Sequence, residues 1–445
     1  MAINPEQWKE KRAQREQQRK EREAKQRKML IRIGIIVAAL VVCAVLAIVV
    51  VNKFSPKPEE PTPTEPPVSQ DVEAPAEDAE QTGEEQTEEQ AEEGTVDSGK
   101  NNYTTIHVVA GGDVNITDKV VSAGGLGYDY TDVFMDVAYL FANADLSMVN
   151  LEGNLCGSPY GSSTRSAPPG LVSALDRAGI DLVQLANSYS INRGVSGLMQ
   201  TISGVRAAGM EPLGVYQDAA EFRSSKGFTL YNVQGIEIAV VAFTKGMDGM
   251  ALPAGSENCV NLLYNDYEST YQSINREGIT KILSSVEQEN PDITIALLHW
   301  GSEYNDTISP TQEDIVDLML ANGVDAIIGT HPHYVQQMIF DEEEGTFVAY
   351  SLGDLISDAE RSGTQYSVLL DLEITKNLRN GKTSISGFSY TPIYTVAETG
   401  SPVRVVRINE AIQGYESYFI GRASQQIYED MQYALQRIQA RVNGE

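Results

Sequence analysis

The sequence predicts an α/β domain held behind a single membrane-spanning helix and an unstructured stalk. Three observations predict it. At three places a helical pattern closes on a glycine and passes straight into an apolar strand. Several strand-length runs are apolar almost without a break, as strands covered on both faces are. Three of the four histidines lie at the ends of such runs, where open α/β sheets bind their ligands.

The 445 residues fall into segments of different composition. Residues 1–28 are a basic tail, read as cytoplasmic. Residues 29–51, MLIRIGIIVAALVVCAVLAIVVV, are apolar over a full bilayer crossing of about 20 residues. A signal-peptide core is shorter, about 7–15 residues, and ends in a cleavage site. Lysines and arginines crowd the N-terminal flank, so the positive-inside rule keeps that end in the cytoplasm and puts the C-terminal bulk outside the cell membrane. Residues 52–102, rich in Pro, Glu, Gln and Thr, have too little apolar surface to offset the entropy of ordering and read as an extended, disordered stalk.

Charge follows the same division. The chain holds 33 Lys/Arg against 62 Asp/Glu, a net of −29. Residues 1–52 hold 11 against 5, a net of +6, so the remainder holds 22 against 57, a net of −35. Such an excess argues against nucleic acid as a partner. An anionic substrate would need a local cation. Three cysteines do not make a disulfide scaffold; Cys156 and Cys259 read either as one bridge or as two thiols.

In the globular part, Gly179, Gly209 and Gly323 each stand where a helix ends, supplying the left-handed turn. Ile106–Ala110, Leu146–Leu151, Ile236–Phe243 and Ile293–Leu298 read as strands. Ser309 followed by Pro310 marks a helix start. Residues 408–445 read as one C-terminal helix on the domain surface.

His299 ends the strand in ALLHWGSEY; His331 and His333 end the next in IIGTHPHY. Asp113 follows the first strand in VVAGGDVN, and Glu152 the second in SMVNLEG. Imidazoles and carboxylates carried on strand ends, with glycines making room, have the makings of a metal site. Taken singly, each also reads as a cap, a turn residue or a core histidine.

GGDVN, VNLEGNL, LANSYSINRGVSGL, LLHWGSEY, GTHPHYVQ and AYSLGDLIS occur in the order found in CapA-type proteins. Residues 103–407 therefore resemble the poly-γ-glutamate capsule synthesis (PGA_cap) family, a branch of the calcineurin-like metallophosphoesterases. The resemblance implies two central β-sheets flanked by helices and a site for two divalent cations. Mn, Fe and Zn all suit such ligands. Carried over residue by residue, Asp113 and His333 would serve the first cation, His299 and His331 the second, and Glu152 would bridge them. His299 and His331 would also be the catalytic histidines, and Asn150, Asn187, Tyr189 and Arg165 would face the substrate. Expected partners are the membrane, an envelope or capsule polymer, and proteins of its synthesis complex.

The resemblance fails at an informative place. CapA-type proteins carry Ala-Asn-Asn-His where this chain has Ala186-Asn187-Ser188-Tyr189. A hydroxyl replaces a ligand amide, and a phenol replaces an acid-base imidazole. Asp354 stands where Asn is usual, and reads as a surface turn or as a replacement carboxylate. Arg193, Lys245 and Trp300 are further candidates to line the cleft. His107, inside the first strand, reads as structural. Two functions remain open: a metal-dependent hydrolase acting in capsule or envelope polymer synthesis or export, and a degenerate fold that binds polymer or partner.

Overall fold

The computed structural model describes residues 102–398, 403–416 and 424–445. The expected basic tail, membrane span and stalk (all but Asn102) lie outside the described residues. No helix among the described residues is long and apolar enough to cross a membrane.

Two mixed sheets form the centre. β1 (Tyr103–Asn115) leads the first, with β2 (Leu146–Glu152), β3 (Leu182–Gln184) and β4 (Glu211–Leu213) following it in parallel. On its other side run β12 (Tyr366–Asn377), β13 (Thr383–Val396) and β14 (Arg404–Arg407), all antiparallel to their neighbours. The short β11 (Asp354–Ile356) pairs in parallel with the far end of β1. The second sheet runs β5 (Thr229–Val233), β6 (Ile236–Thr244), β7 (Ile293–His299), β8 (Ala326–Thr330), β10 (Thr346–Ala349), β9 (Met338–Asp341). Its inner strands are parallel and its two edges antiparallel.

The near-continuous apolar runs follow from burial on both faces. Side chains alternate along a strand. Ile106, Val108 and Ala110 of β1 therefore meet Ile238, Val240 and Ala242 of β6 in a core between the sheets. Val109, of the opposite phase, packs with Phe134 and Phe141 of α2 (Thr131–Ala142). The same core takes in Leu171 of α3 (Pro169–Arg177) and Ile202 of α4 (Gly194–Ala207). Val241 and Phe243 pack outward on Leu283 of α6 (Arg276–Glu289) and Ile315 of α7 (Pro310–Ala321). Each fully buried aliphatic side chain contributes about 1.5–3 kcal/mol. The short α1 (Asp118–Ala123) and α5 (Ala219–Ser225) occupy connections.

The punctuation is where the sequence puts it. Gly179, Gly209 and Gly323 all have positive φ, at 94°, 98° and 87°. Ser309 caps α7 through a reciprocal pair with Gln312, and Pro310 takes the first turn, where its missing N–H is not needed. The C-terminal region differs from the single helix expected. It forms α8 (Ile408–Glu416) and α9 (Gln425–Asn443), with 417–423 outside the described residues. Met431, Ala434, Ile438 and Val442, at helical spacing, place one face of α9 on the inter-sheet core.

Candidate metal centre

β1, β2, β7 and β8 bring their C-terminal ends to one edge of the two sheets. Asp113 lies near the end of β1, Glu152 ends β2, His299 ends β7, and His331 and His333 follow β8. All five are almost fully buried. The structure brings all five into one cluster.

Glu152 is its centre. Oε1 lies 3.3 Å from His299 Nε2 and 4.0 Å from His331 Nδ1, and Oε2 lies 3.7 Å from His333 Nε2. Neither oxygen has a hydrogen-bond partner. A buried carboxylate without hydrogen bonds is costly unless a cation completes it. Burial works against ionising Glu152, but the histidines, His333 foremost, hold its carboxyl well below the usual range.

Asp113 is anchored on both oxygens. Oδ1 accepts from Asn150 Nδ2 at 2.6 Å, and Oδ2 from the His331 backbone N–H at 2.9 Å. Burial and the nearby Glu152 push its carboxyl up. His331 and His333 have φ of 92° and 58°, in the region that side chains rarely enter. Each such residue costs about 1–3 kcal/mol, a strain that clusters at functional sites. The bond from His331 N–H to Asp113 helps hold the turn. Burial and His299 push the His331 imidazole well below its ordinary pKa. Burial acts the same way on His333, yet Asp354, Glu152 and Asp113 more than offset it and hold that ring well above the ordinary range.

The Ser188-Tyr189 departure sits inside the cluster. Ser188 Oγ lies 3.0 Å from His299 Nε2 and 3.5 Å from His331 Nδ1. Asn187 is committed internally, donating to Asn150 Oδ1 at 3.0 Å and Leu151 O at 2.7 Å while accepting from Tyr189 N–H. Asn150 thus links Asp113 and Asn187. Tyr189 is partly buried beneath the Arg165 guanidinium, 4.3 Å from its ring centre, and desolvation pushes its phenol further up. Arg165 also donates to Asn115 Oδ1 at 3.1 Å.

Several readings need correction. Asp354 is no surface turn: it is 2% exposed and takes a 2.7 Å hydrogen bond from His333 Nδ1 at Oδ1. Burial pushes its carboxyl up to about 7 against the pull of His333. Trp300 does not line a cleft; it is fully buried, donating from Nε1 to Tyr350 O at 2.9 Å. Lys245, a candidate to line the cleft, does lie beside the cluster. Its amine donates to Gly301 O at 2.8 Å and stands 3.3 Å from His331 Nε2, and burial lowers its pKa. Arg193 is exposed at the start of α4. His107 pairs with Asp371 at 3.0 Å, and Cys156 and Cys259 are free thiols. Tyr304, not singled out above, stacks on His333 at 5.1 Å and carries Arg361 over its ring at 3.7 Å. The one sequence signal for it was its place in HWGSEY.

One ligand atom from each of Glu152, His331 and His333 lies within 4.8 Å of the others, and the same holds for Asp113, His333 and Asp354. Unpartnered oxygens on Glu152 and Asp354 fit the same need. The donor set therefore suits a divalent cation.

Comparison with known proteins gives a consistent family. The capsule biosynthesis protein CapA of Bacillus anthracis is 29% identical over 215 residues, covering 48% of each chain. The PGA biosynthesis protein CapA of Bacillus subtilis is 25% identical over 233 residues, covering 52% of this chain and 56% of that one. The chain thus spans about half the length of the curated relatives it matches. Among solved structures, the calcineurin-like phosphoesterase YfkN of Bacillus subtilis aligns at 14% identity and TM-score 0.41, covering 76% of this chain and 98% of that one. A phosphatase of Mycoplasma pneumoniae aligns at 13% and 0.40, covering 65% and 94%. The family described as bacterial capsule synthesis protein PGA_cap matches residues 107–359, more than half of the chain, and the chain belongs to it.

Proposed function

We propose that this chain is a membrane-anchored, extracytoplasmic protein of capsule or envelope polymer synthesis or export, of the poly-γ-glutamate kind, with a metal-dependent hydrolytic site. The observation that carries the site is Glu152: a buried carboxylate, without hydrogen bonds, ringed by three imidazoles. Asp113, Glu152, His299, His331 and His333 would hold two divalent cations, with Mn, Fe and Zn all suited to the donors. When bound, such cations polarise an anionic oxygen and lower the pKa of a water.

The chain's own residues do the rest. Asn150 holds Asp113 by its amide, and Asn187 holds Asn150, so both are orienting groups. Lys245 and Arg165 bring positive charge to the site of a strongly acidic chain. That charge favours an anionic polymer or ester near the cluster. The anchor and stalk of residues 29–102 would carry the domain away from the bilayer to the polymer and its synthesis proteins.

A second reading has its own observation. Ser188 stands among the histidines as a short neutral hydroxyl, and Tyr189 has a phenol raised by burial. A site so altered favours binding without turnover, a polymer- or partner-holding fold.

Metal content of the purified full-length chain, measured beside His331→Ala with turnover of bis-p-nitrophenyl phosphate, separates the two readings. About two metals per chain, falling in the variant together with turnover, support the hydrolase. Bound metal without turnover favours the binding reading. A folded wild-type chain that takes up no metal would sink the metal site itself.

A further inference from the structure

Asp354 has no part in the five-ligand set, yet its surroundings call for a cation. β11 pairs in parallel with β1 so that Asp113 and Asp354 are direct partners in register. Two buried carboxyls thereby lie side by side. Asp113 has a hydrogen bond on each oxygen. Asp354 has one on Oδ1 alone, from His333 Nδ1, and its Oδ2 is buried without a partner. The same His333 nitrogen stands 3.6 Å from Asp113 Oδ2. Among the described residues, no lysine or arginine pairs with either carboxyl. His333 Nδ1 is thus shared between the two carboxyl groups, and a buried carboxyl oxygen with no partner calls for a donor or a cation.

We propose that Asp354 is itself a ligand, and that Asp113, His333 and Asp354 form a subsite holding one divalent cation of the harder, oxygen-preferring kind, such as Mn2+. The inference rests on the metal reading of the cluster and deepens it. One ligand atom from each of the three residues lies within 4.8 Å of the others. Carboxylate oxygens in the majority suit a hard ion such as Mn2+. His333 serves this subsite through Nδ1, which leaves its Nε2–H free to donate to Glu152 Oε2, now 3.7 Å away. The Glu152 carboxylate, His299 and His331 then hold the other cation.

The test uses the full-length chain, stripped of metal and titrated with Mn2+ alone by calorimetry, with bound metal counted by mass spectrometry. Asp354→Asn keeps size and hydrogen bonding but removes the charge. Asp354→Ser, smaller and also uncharged, is run beside it so that a fold lost in one is still tested in the other. Circular dichroism reports folding, and His331→Ala marks the other cation. We expect about two Mn2+ in the wild type, with one weakened at least tenfold by either Asp354 variant and the other unchanged. Two Mn2+ of wild-type affinity in a folded Asp354 variant would overturn the subsite and leave the metal centre standing. No Mn2+ in a wild type that takes up Zn2+ in a separate titration would overturn the subsite alone, and no uptake of Mn, Fe or Zn by the wild type would overturn both.

Discussion

At the scale of single residues, Glu152 and Tyr189 carry the contrast between a poised site and a missing acid. The Tyr189 phenol, raised by burial, stays protonated throughout the neutral range and sits under Arg165. Tyr189→Phe should therefore change turnover and metal content less than about twofold, whereas a working general acid would lose roughly a hundredfold or more. A pH profile follows from the neighbours. In the metal-free chain, Asp354 is raised to about 7 and His333 is held above the ordinary imidazole range. A cation must displace those protons, because only the deprotonated groups ligate. Affinity for Mn2+ should thus climb as pH rises through about 7 and fall on acidification, with a slope of up to tenfold per unit for each proton released. Calorimetry across that range reads the slope, and Asp354→Asn, which has no proton to lose there, should flatten it. An unchanged slope would remove Asp354 from the linkage.

At the scale of elements, the site depends on how closely β11 approaches β1. Asp113 N–H donates to Gly353 O at 3.0 Å. Gly112 permits that contact, since a Cβ there would stand 1.8 Å from Gly353 O. Gly112→Ala should force the strands apart at a cost of about 1–3 kcal/mol or more. The urea midpoint should fall and metal content with it, while a variant of wild-type stability would show that β11 shifts freely. The same pairing explains what the sequence hid. Gly179, Gly209 and Gly323 were legible because a helix end is a local event with a local residue preference. The inner strands β1, β2, β6 and β7 were legible because burial on both faces leaves an unbroken apolar run, whereas β5 and β9 to β14 were not read. His299, His331 and His333 were legible because they stand just past such runs. Asp354 was legible only as a replacement carboxylate or a surface turn, because the pairing that decides between them is with a strand 241 residues away in sequence. Lys245 was named as a cleft candidate, but its contacts with Gly301 and His331, which follow β7 and β8, come from the fold and not from its own segment. The break between α8 and α9 left no proline to mark it.

At the scale of the whole molecule, the family match and the folded unit have different limits. The match ends at residue 359, after β11. The first sheet does not end there. β12 pairs with β1 from Tyr103 to Ala110, and β13 and β14 extend the sheet beyond it. α9 then covers the inter-sheet core with Met431, Ala434, Ile438 and Val442. It is fastened at its end by Arg441, which bonds Asp306 at 3.1 Å and lies 4.7 Å from the Tyr334 ring centre. A chain cut after residue 359 would open the long edge of β1, whose Ile106, Val108 and Ala110 lie in the inter-sheet core with residues of β12. An open apolar edge is a template for association. Such a fragment should be insoluble or aggregated even though it keeps every ligand candidate. The intact chain with Ile438→Ala should lose only about 2–5 kcal/mol, the cost of a large-to-small change in a core. It should keep its metal, since α9 contributes none of the proposed ligands. Size-exclusion chromatography of the fragment and denaturation of the variant check the two halves. A soluble, metal-binding fragment ending at residue 359 would mean that β12 to α9 are an addition to the fold rather than part of its core.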